Sequence, residues 1–115
     1  MDMQWDLERA GDIGIMRLSG FLGENVVHRF TGAVDWTGAR CSGAVVIDLA
    51  ALQGWNGDGE AAIVNAAGRL GPDHGLLAVC GLGERAAPLL ATAHGLGLLR
   101  LFPDTDTALA ALTPR

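Results

Sequence analysis

The run Ala44-Val45-Val46-Ile47-Asp48-Leu49 is apolar at every position but Asp48 and shows no alternation. A strand without a polar face must be covered on both sides, the situation of strands inside a parallel sheet flanked by helices. That commits the chain to an α/β fold. Gly75 to Cys80 and Gly97 to Phe102 are two further short apolar strands of this kind. Between them lie helical patterns. From Glu24 to Trp36, the residues Val26, Val27, Phe30, Ala33 and Val34, with Thr37 just beyond, share one face. From Asp58 to Leu70, the inner stripe is Ile63, Ala66, Ala67 and Leu70. Gly71-Pro72 is expected to stop that helix, with Gly as the C-cap and Pro unable to continue. Glu84 to His94 forms a third helix ended by Gly95, and Asp104 N-caps a short last one, Thr105 to Leu112. At the start, Trp5 to Glu8 and Ile13 to Leu18 are strands joined at Gly11-Asp12, a hairpin turn signal. The expected order is β-β-α-β-α-β-α-β-α. It implies right-handed crossovers and a mixed, mostly parallel sheet with an N-terminal β-hairpin and four helices.

The 115 residues fit one domain, 1–115. No apolar run approaches the roughly 20 residues of a membrane helix, so no membrane partner is expected. The N-terminus is acidic and lacks the apolar core of a secretory signal, so the expected location is cytoplasmic. The net charge of -5 argues against nucleic acid as a partner. All eight basic residues are Arg, which reads as coding bias. Cys41 and Cys80 have no Cys-x-x-Cys spacing. Cys80 is expected to be a buried thiol that packs as a small hydrophobe. His28, His74 and His94 share no metal-ligand spacing and read as surface or helix-end residues. No cofactor and no metal is expected.

The candidate site is Trp55-Asn56-Gly57-Asp58-Gly59-Glu60, a Gly-rich turn between an apolar strand and a helix. Free N–H groups and the helix dipole make such a place suited to an anion or a partner. This chain fills it with its own acids, Asp58 and Glu60. Asp48 ends the preceding strand, at the sheet edge where ligands meet open α/β folds. A paired-carboxylate or metal site with Asp58 is one reading. The preferred one has Asp48 bracing the following loop through backbone N–H groups. No His, Lys or Arg in 48–60 completes a catalytic set. Gly81-Leu82-Gly83-Glu84-Arg85-Ala86 matches a dinucleotide fingerprint, but too little chain follows it, and an ordinary tight βα turn is expected. There is no nucleophile elbow around Ser19 or Ser42 and no Walker-type loop. Trp55 is either an exposed interface anchor or a buried pin for the loop, and the sequence leaves both open. Trp5 and Trp36 read as packing residues.

With these pieces in order, the chain from Asp12 to Leu112 resembles a STAS domain, the fold of the bacterial anti-sigma factor antagonists. Gly20-Phe21-Leu22 resembles the family's Gly-x-Leu turn. Val46-Ile47-Asp48-Leu49-Ala50 resembles its Val-Leu-Asp-Leu-Ser segment. Gly59 matches the glycine that closes its Asp-Ser-Ser-Gly motif. Gly81-Leu82, Leu89-Leu90 and His94-Gly95-Leu96 resemble its third-helix segment, and Asp106 with Ala108 to Leu112 its closing helix. The resemblance implies a non-catalytic regulatory protein-interaction domain in partner switching. Its implied partner is an anti-sigma factor or serine-kinase-like regulator, released when a serine at the second-helix N-terminus is phosphorylated.

The motif departs at that serine. Asn56-Gly57-Asp58-Gly59 stands where the family has Asp-Ser-Ser-Gly, and Asp58 occupies the phospho-acceptor-equivalent position. Glu60 replaces an apolar residue, and Gly23 replaces an Asp. Phosphorylation at that position is excluded. Two expectations follow. Asp58 and Glu60 form a fixed, partly phospho-like surface for the family's partner. Alternatively, the domain is a divergent scaffold or small-ligand-binding module outside partner switching. The sequence leaves the oligomeric state open.

Overall fold

The computed structural model of the protein describes residues 2–113. Strands β1 (Met3–Ala10) and β2 (Ile13–Leu22) form the expected antiparallel hairpin. A 3-10 turn, Glu24–Val26, leads into α1 (Val27–Arg40), followed by β3 (Val45–Asp48) and β4 (Leu52–Trp55). Then come α2 (Gly57–His74), β5 (Leu77–Cys80), α3 (Pro88–Gly95), β6 (Leu99–Phe102) and α4 (Thr105–Leu112). The sheet has six strands in the order β1-β2-β3-β5-β6, with β4 pairing to β2 beyond the end of β3. All pairings other than β1–β2 are parallel. The fold class is the mixed, mostly parallel α/β architecture expected from the sequence.

The two-residue period of the strands sorts side chains onto two faces. Met16, Leu18, Val45, Ile47, Leu77, Val79 and Leu99 point into the larger core under α1, α2 and α3. Ile13, Ile15, Val46, Ala78 and Cys80 point the other way, against Ala108 of α4. Burying each such aliphatic side chain contributes about 1.5–3 kcal/mol against leaving it in water.

Several boundaries differ from the sequence reading. β4 was not expected: Leu52-Gln53-Gly54-Trp55 is short, carries a glycine and lacks β-branched residues, so its strand character comes from pairing with Gly20 to Leu22. α1 runs past Trp36 through Gly38 to Arg40. α2 runs through Pro72 to His74 rather than ending at Leu70. Pro72 forfeits only the bond to the carbonyl of Gly68, an exposed residue where water can take its place. The last turn is closed by the N–H of Gly75 on the carbonyl of Gly71 at 3.1 Å, and by His74 Nδ1 against the carbonyl of Gly43 at 2.8 Å. Gly75, at φ +73°, is the true cap residue, in the left-handed region open to glycine. α3 begins at Pro88, not Glu84, with Pro at the first helical position.

Trp5 and Trp36 pack edge to face with ring centroids 5.5 Å apart. Trp36 nonetheless keeps an exposed side, over which Arg40 lies at 3.9 Å.

Candidate partner-binding site

β3 stops at Asp48, and the chain turns through Leu49, whose carbonyl accepts from Leu52 N–H at 3.0 Å. β4 then resumes alongside β2 and delivers Trp55 and Asn56 to the start of α2. Asn56 has extended backbone and is the N-cap: its Oδ1 accepts from the Gly59 N–H at 3.0 Å. This bond satisfies one of the orphan donors of the first turn. The Asn56 N–H donates back to the carbonyl of Leu22 at 3.3 Å, which ties the turn to the end of β2.

The first turn of α2 lies against β2 so closely that only glycine fits at 59. A Cβ there would sit 2.0 Å from the Leu22 carbonyl oxygen. Gly59 is therefore buried, whereas Gly57 and Asp58 face solvent. Asp58 occupies the second helical position, where a carboxylate is favoured by the helix dipole. It lines an open cleft of about 410 Å³ with Glu24, Val27, Ala61, Ala62 and Asn65. Among the described residues, no histidine, cysteine, lysine or arginine lines this cleft.

Glu60 behaves differently from the expectation of a second surface acid. It is 5% exposed, and its Oε2 accepts from the Leu90 N–H at 3.0 Å. Leu90 is the third residue of α3, whose N-cap, Ala87, has no side chain to offer. Glu60 thus caps a neighbouring helix across space, and the charge on the surface of this turn comes from Asp58. This correction follows from helix rotation: residues two apart face about 200° from each other, so an exposed Asp58 turns Glu60 inward.

Asp48 and Asp58 do not form a carboxylate pair. Asp48 points to the α4 face, like Val46, whereas α2 lies on the opposite face. Its Oδ1 accepts from Ala50 N–H at 2.9 Å and its Oδ2 from the Thr105 hydroxyl at 3.1 Å. Arg17 Nε stands 3.5 Å from Oδ2. Asp48 is the loop brace, and it also ties α4 to the sheet.

The glycine-rich segment after β5 contains a tight turn at Gly83-Glu84, closed by the Arg85 N–H on the Leu82 carbonyl at 3.3 Å, but it does not open a helix directly. Residues 81–87 form a loop organised by Arg85, which the sequence reading passed over. The Arg85 guanidinium donates to the carbonyls of Leu49 and Gly81, each at 2.8 Å, and to Leu82 at 2.9 Å. It also bonds the Leu52 carbonyl. One side chain thereby gathers the ends of β3 and β5 and the start of β4. The same guanidinium lies 4.9 Å over the ring of Trp55. Trp55 is half-buried, packed on the larger core beneath and covered by Arg85 above. It pins the loop and still shows an edge to solvent.

Cys80 is fully buried, as expected, and Cys41 is nearly so, at 5% exposure. Burial pushes the Cys80 thiol up to about 11 from an ordinary value of 9.0, although its contact with Thr105 pulls the other way. The folded pKa lies above the unfolded one, so the folded state disfavours the thiolate. This contribution to stability is intact below pH 9 and is lost as pH rises from about 9 to about 11. In the folded protein at pH 8, Cys80 should resist iodoacetamide and react fully once urea unfolds the chain. Equal labelling rates in both states would refute this placement.

No protein-family model and no curated protein matches this sequence. Solved structures match its fold. An anti-sigma factor antagonist from Mycobacterium paratuberculosis superposes with a TM-score of 0.75 at 23% identity, covering 96% of this chain and 94% of its own. The Bacillus cell fate determinant SpoIIAA, in its phosphorylated form, gives 0.67 at 13% identity, covering 96% and 100%. The STAS domain of an anti-sigma factor antagonist from Rhodobacter sphaeroides gives 0.62 at 21% identity, covering 73% and 91%. The architecture that holds Asp58 at the head of α2 is thus the STAS fold, shared with the anti-sigma factor antagonists.

Proposed function

We propose that residues 1–115 are a single, non-catalytic regulatory domain of the bacterial cytoplasm that binds a protein partner through the β4–α2 turn. The partner class suggested by the shared fold is an anti-sigma factor or a serine-kinase-like regulator. The observation that carries this reading is the orientation of the first turn of α2. Asn56 is spent on capping, Gly59 on contact with β2 and Glu60 on α3, which leaves Asp58 as the exposed functional group. Asp58 has no hydroxyl to phosphorylate, so the surface is held in one charge state. A carboxylate carries one charge and two oxygens, short of the nearly two charges and three oxygens of a phosphate. The mimicry is partial.

Calorimetric titration against family anti-sigma kinases tests the reading. The wild type should bind a family kinase weakly, its charged surface suiting a different partner that prefers that state. Asp58→Ser should tighten kinase binding about tenfold, equivalent to about 1.4 kcal/mol. Tight binding by the wild type that is unchanged in Asp58→Ser removes the idea.

A further inference from the structure

Three leucines around α3 are exposed: Leu89 at 43%, Leu96 at 69% and Leu98 at 50%. They are not scattered. With Val64 and Ala93 they line one apolar groove of about 260 Å³ between α2 and α3. α3 is held to the body of the domain by Leu90 and Ala93 on its inner side and by the Glu60 cap, so these leucines are not needed to seat it. Exposed apolar surface collected in a groove marks an interaction site more often than chance exposure does.

The groove continues into the acidic cleft. Ala61 and Asn65 line both, so α2 is a shared wall with Asp58 at one end and Val64 at the other. Among the described residues, Glu24 and Asp58 are the charged side chains on the two linings, and neither lining holds a cation. We propose that the leucine groove and the Asp58 cleft are one docking face for an amphipathic segment of a partner protein. Its apolar side chains fill the groove, and a lysine or arginine on the same segment meets Asp58 and Glu24. This deepens the preceding reading, on which it rests for taking the occupant to be a protein; the occupant is a partner that prefers the charged surface, distinct from a kinase that Asp58 weakens.

α2 serves as a ruler for the occupant. Asp58 and Asn65 are seven residues apart, two helical turns or about 10 Å. The partner's basic residue therefore lies about 10 Å from its apolar anchors, seven residues along a helix or three along a strand. A second copy of this chain is a poor source of that cation. Among the described residues, Arg17, Arg29 and Arg69 are paired with acids of their own chain, Arg9 and Arg85 are bound to carbonyls, and Arg40 and Arg100 lie over the rings of Trp36 and Phe102. The net charge of -5 also opposes self-association at an acidic face.

The test uses the full chain and two designed 16-residue helical peptides. Both carry three leucines at helix spacing. One has Lys seven residues from the central leucine, and the other has Glu there. Binding of the Lys peptide should shift the amide resonances of Val64, Leu89 and Leu96. Affinity should fall at least tenfold for the Glu peptide, at least tenfold in Leu96→Asp and about fivefold in Asp58→Asn. Leu96 is exposed, and an unchanged melting curve confirms that its variant folds. The proposal is overturned if neither peptide shifts these resonances, or if Leu96→Asp leaves affinity intact. It is also overturned if sedimentation shows a dimer that Leu96→Asp dissolves, since the occupant is then a second copy. Kinase binding that tightens in Asp58→Ser, with no Lys-peptide binding at the groove, refutes the groove and leaves the antagonist reading standing. Lys-peptide binding at the groove with no kinase binding does the reverse.

Discussion

Gly59→Ala should destabilise the domain by about 2 kcal/mol, and Gly68→Ala, on the same helix, should stabilise it by up to about 1 kcal/mol. Intrinsic helix propensity favours alanine over glycine by about 1 kcal/mol in a helix interior, as at Gly68, and by no more than that in the first turn at Gly59. At Gly68 nothing lies within 4 Å of the added methyl, so propensity acts alone. At Gly59 the methyl carbon would lie 2.0 Å from a backbone oxygen, and backbone cannot step aside by changing rotamer. The first turn of α2 must then move off β2. The movement breaks the Asn56–Leu22 bond and shifts Asp58 with it. Overpacking of this kind costs about 1–3 kcal/mol, which outweighs the propensity gain. Urea denaturation of the two variants decides the matter. The same sign at both sites would mean that α2 does not press on β2.

Arg85→Ala should cost about 3 kcal/mol, or roughly 10 °C in melting temperature for a domain of this size. Hydrogen bonds from a charged donor are worth more than neutral ones, and a part-buried acceptor left without a partner adds a penalty. The loss is uneven across the four carbonyls. Leu49 and Leu82 each retain a backbone donor, from Leu52 and Arg85 respectively, whereas no backbone bond outside the strand ladder replaces the guanidinium at Gly81 or Leu52. Trp55 also loses its cover, so its fluorescence should shift toward the solvent-exposed range. Arg85→Lys should recover little. An ammonium is a point charge with three donors and cannot span carbonyls spread over three strand ends. A lysine variant that melts with the wild type would sink the account of Arg85 as a planar clamp.

Much of the architecture was legible because its causes are local or periodic. The apolar run at Val45 to Ile47 demanded cover on both faces, and both are covered. Asp104 announced α4 and does accept from the Thr107 N–H at 2.7 Å. What the sequence could not show depends on contacts made far along the chain. β4 is a strand through its partner β2, thirty residues earlier, and not through its own composition. The delayed start of α3 follows from Arg85 folding back onto carbonyls of other elements. No spacing rule flags a lone arginine for that task.

The candidate site divides along the same line. The sequence by itself determined that a Gly-rich turn opens α2 and that an aspartate, not a serine, stands at its start. These are facts of composition and helix phase, and no packing changes them. The tertiary structure alone decided which of the two acids reaches solvent. Glu60 is drawn inward because α3 begins without a capping side chain and its free Leu90 N–H needs an acceptor. Asp58 faces no such demand and remains at the mouth of the cleft. The reason is physical: exposure is settled by neighbours that the chain brings together only on folding, and a buried donor without a partner costs more than a carboxylate left in water.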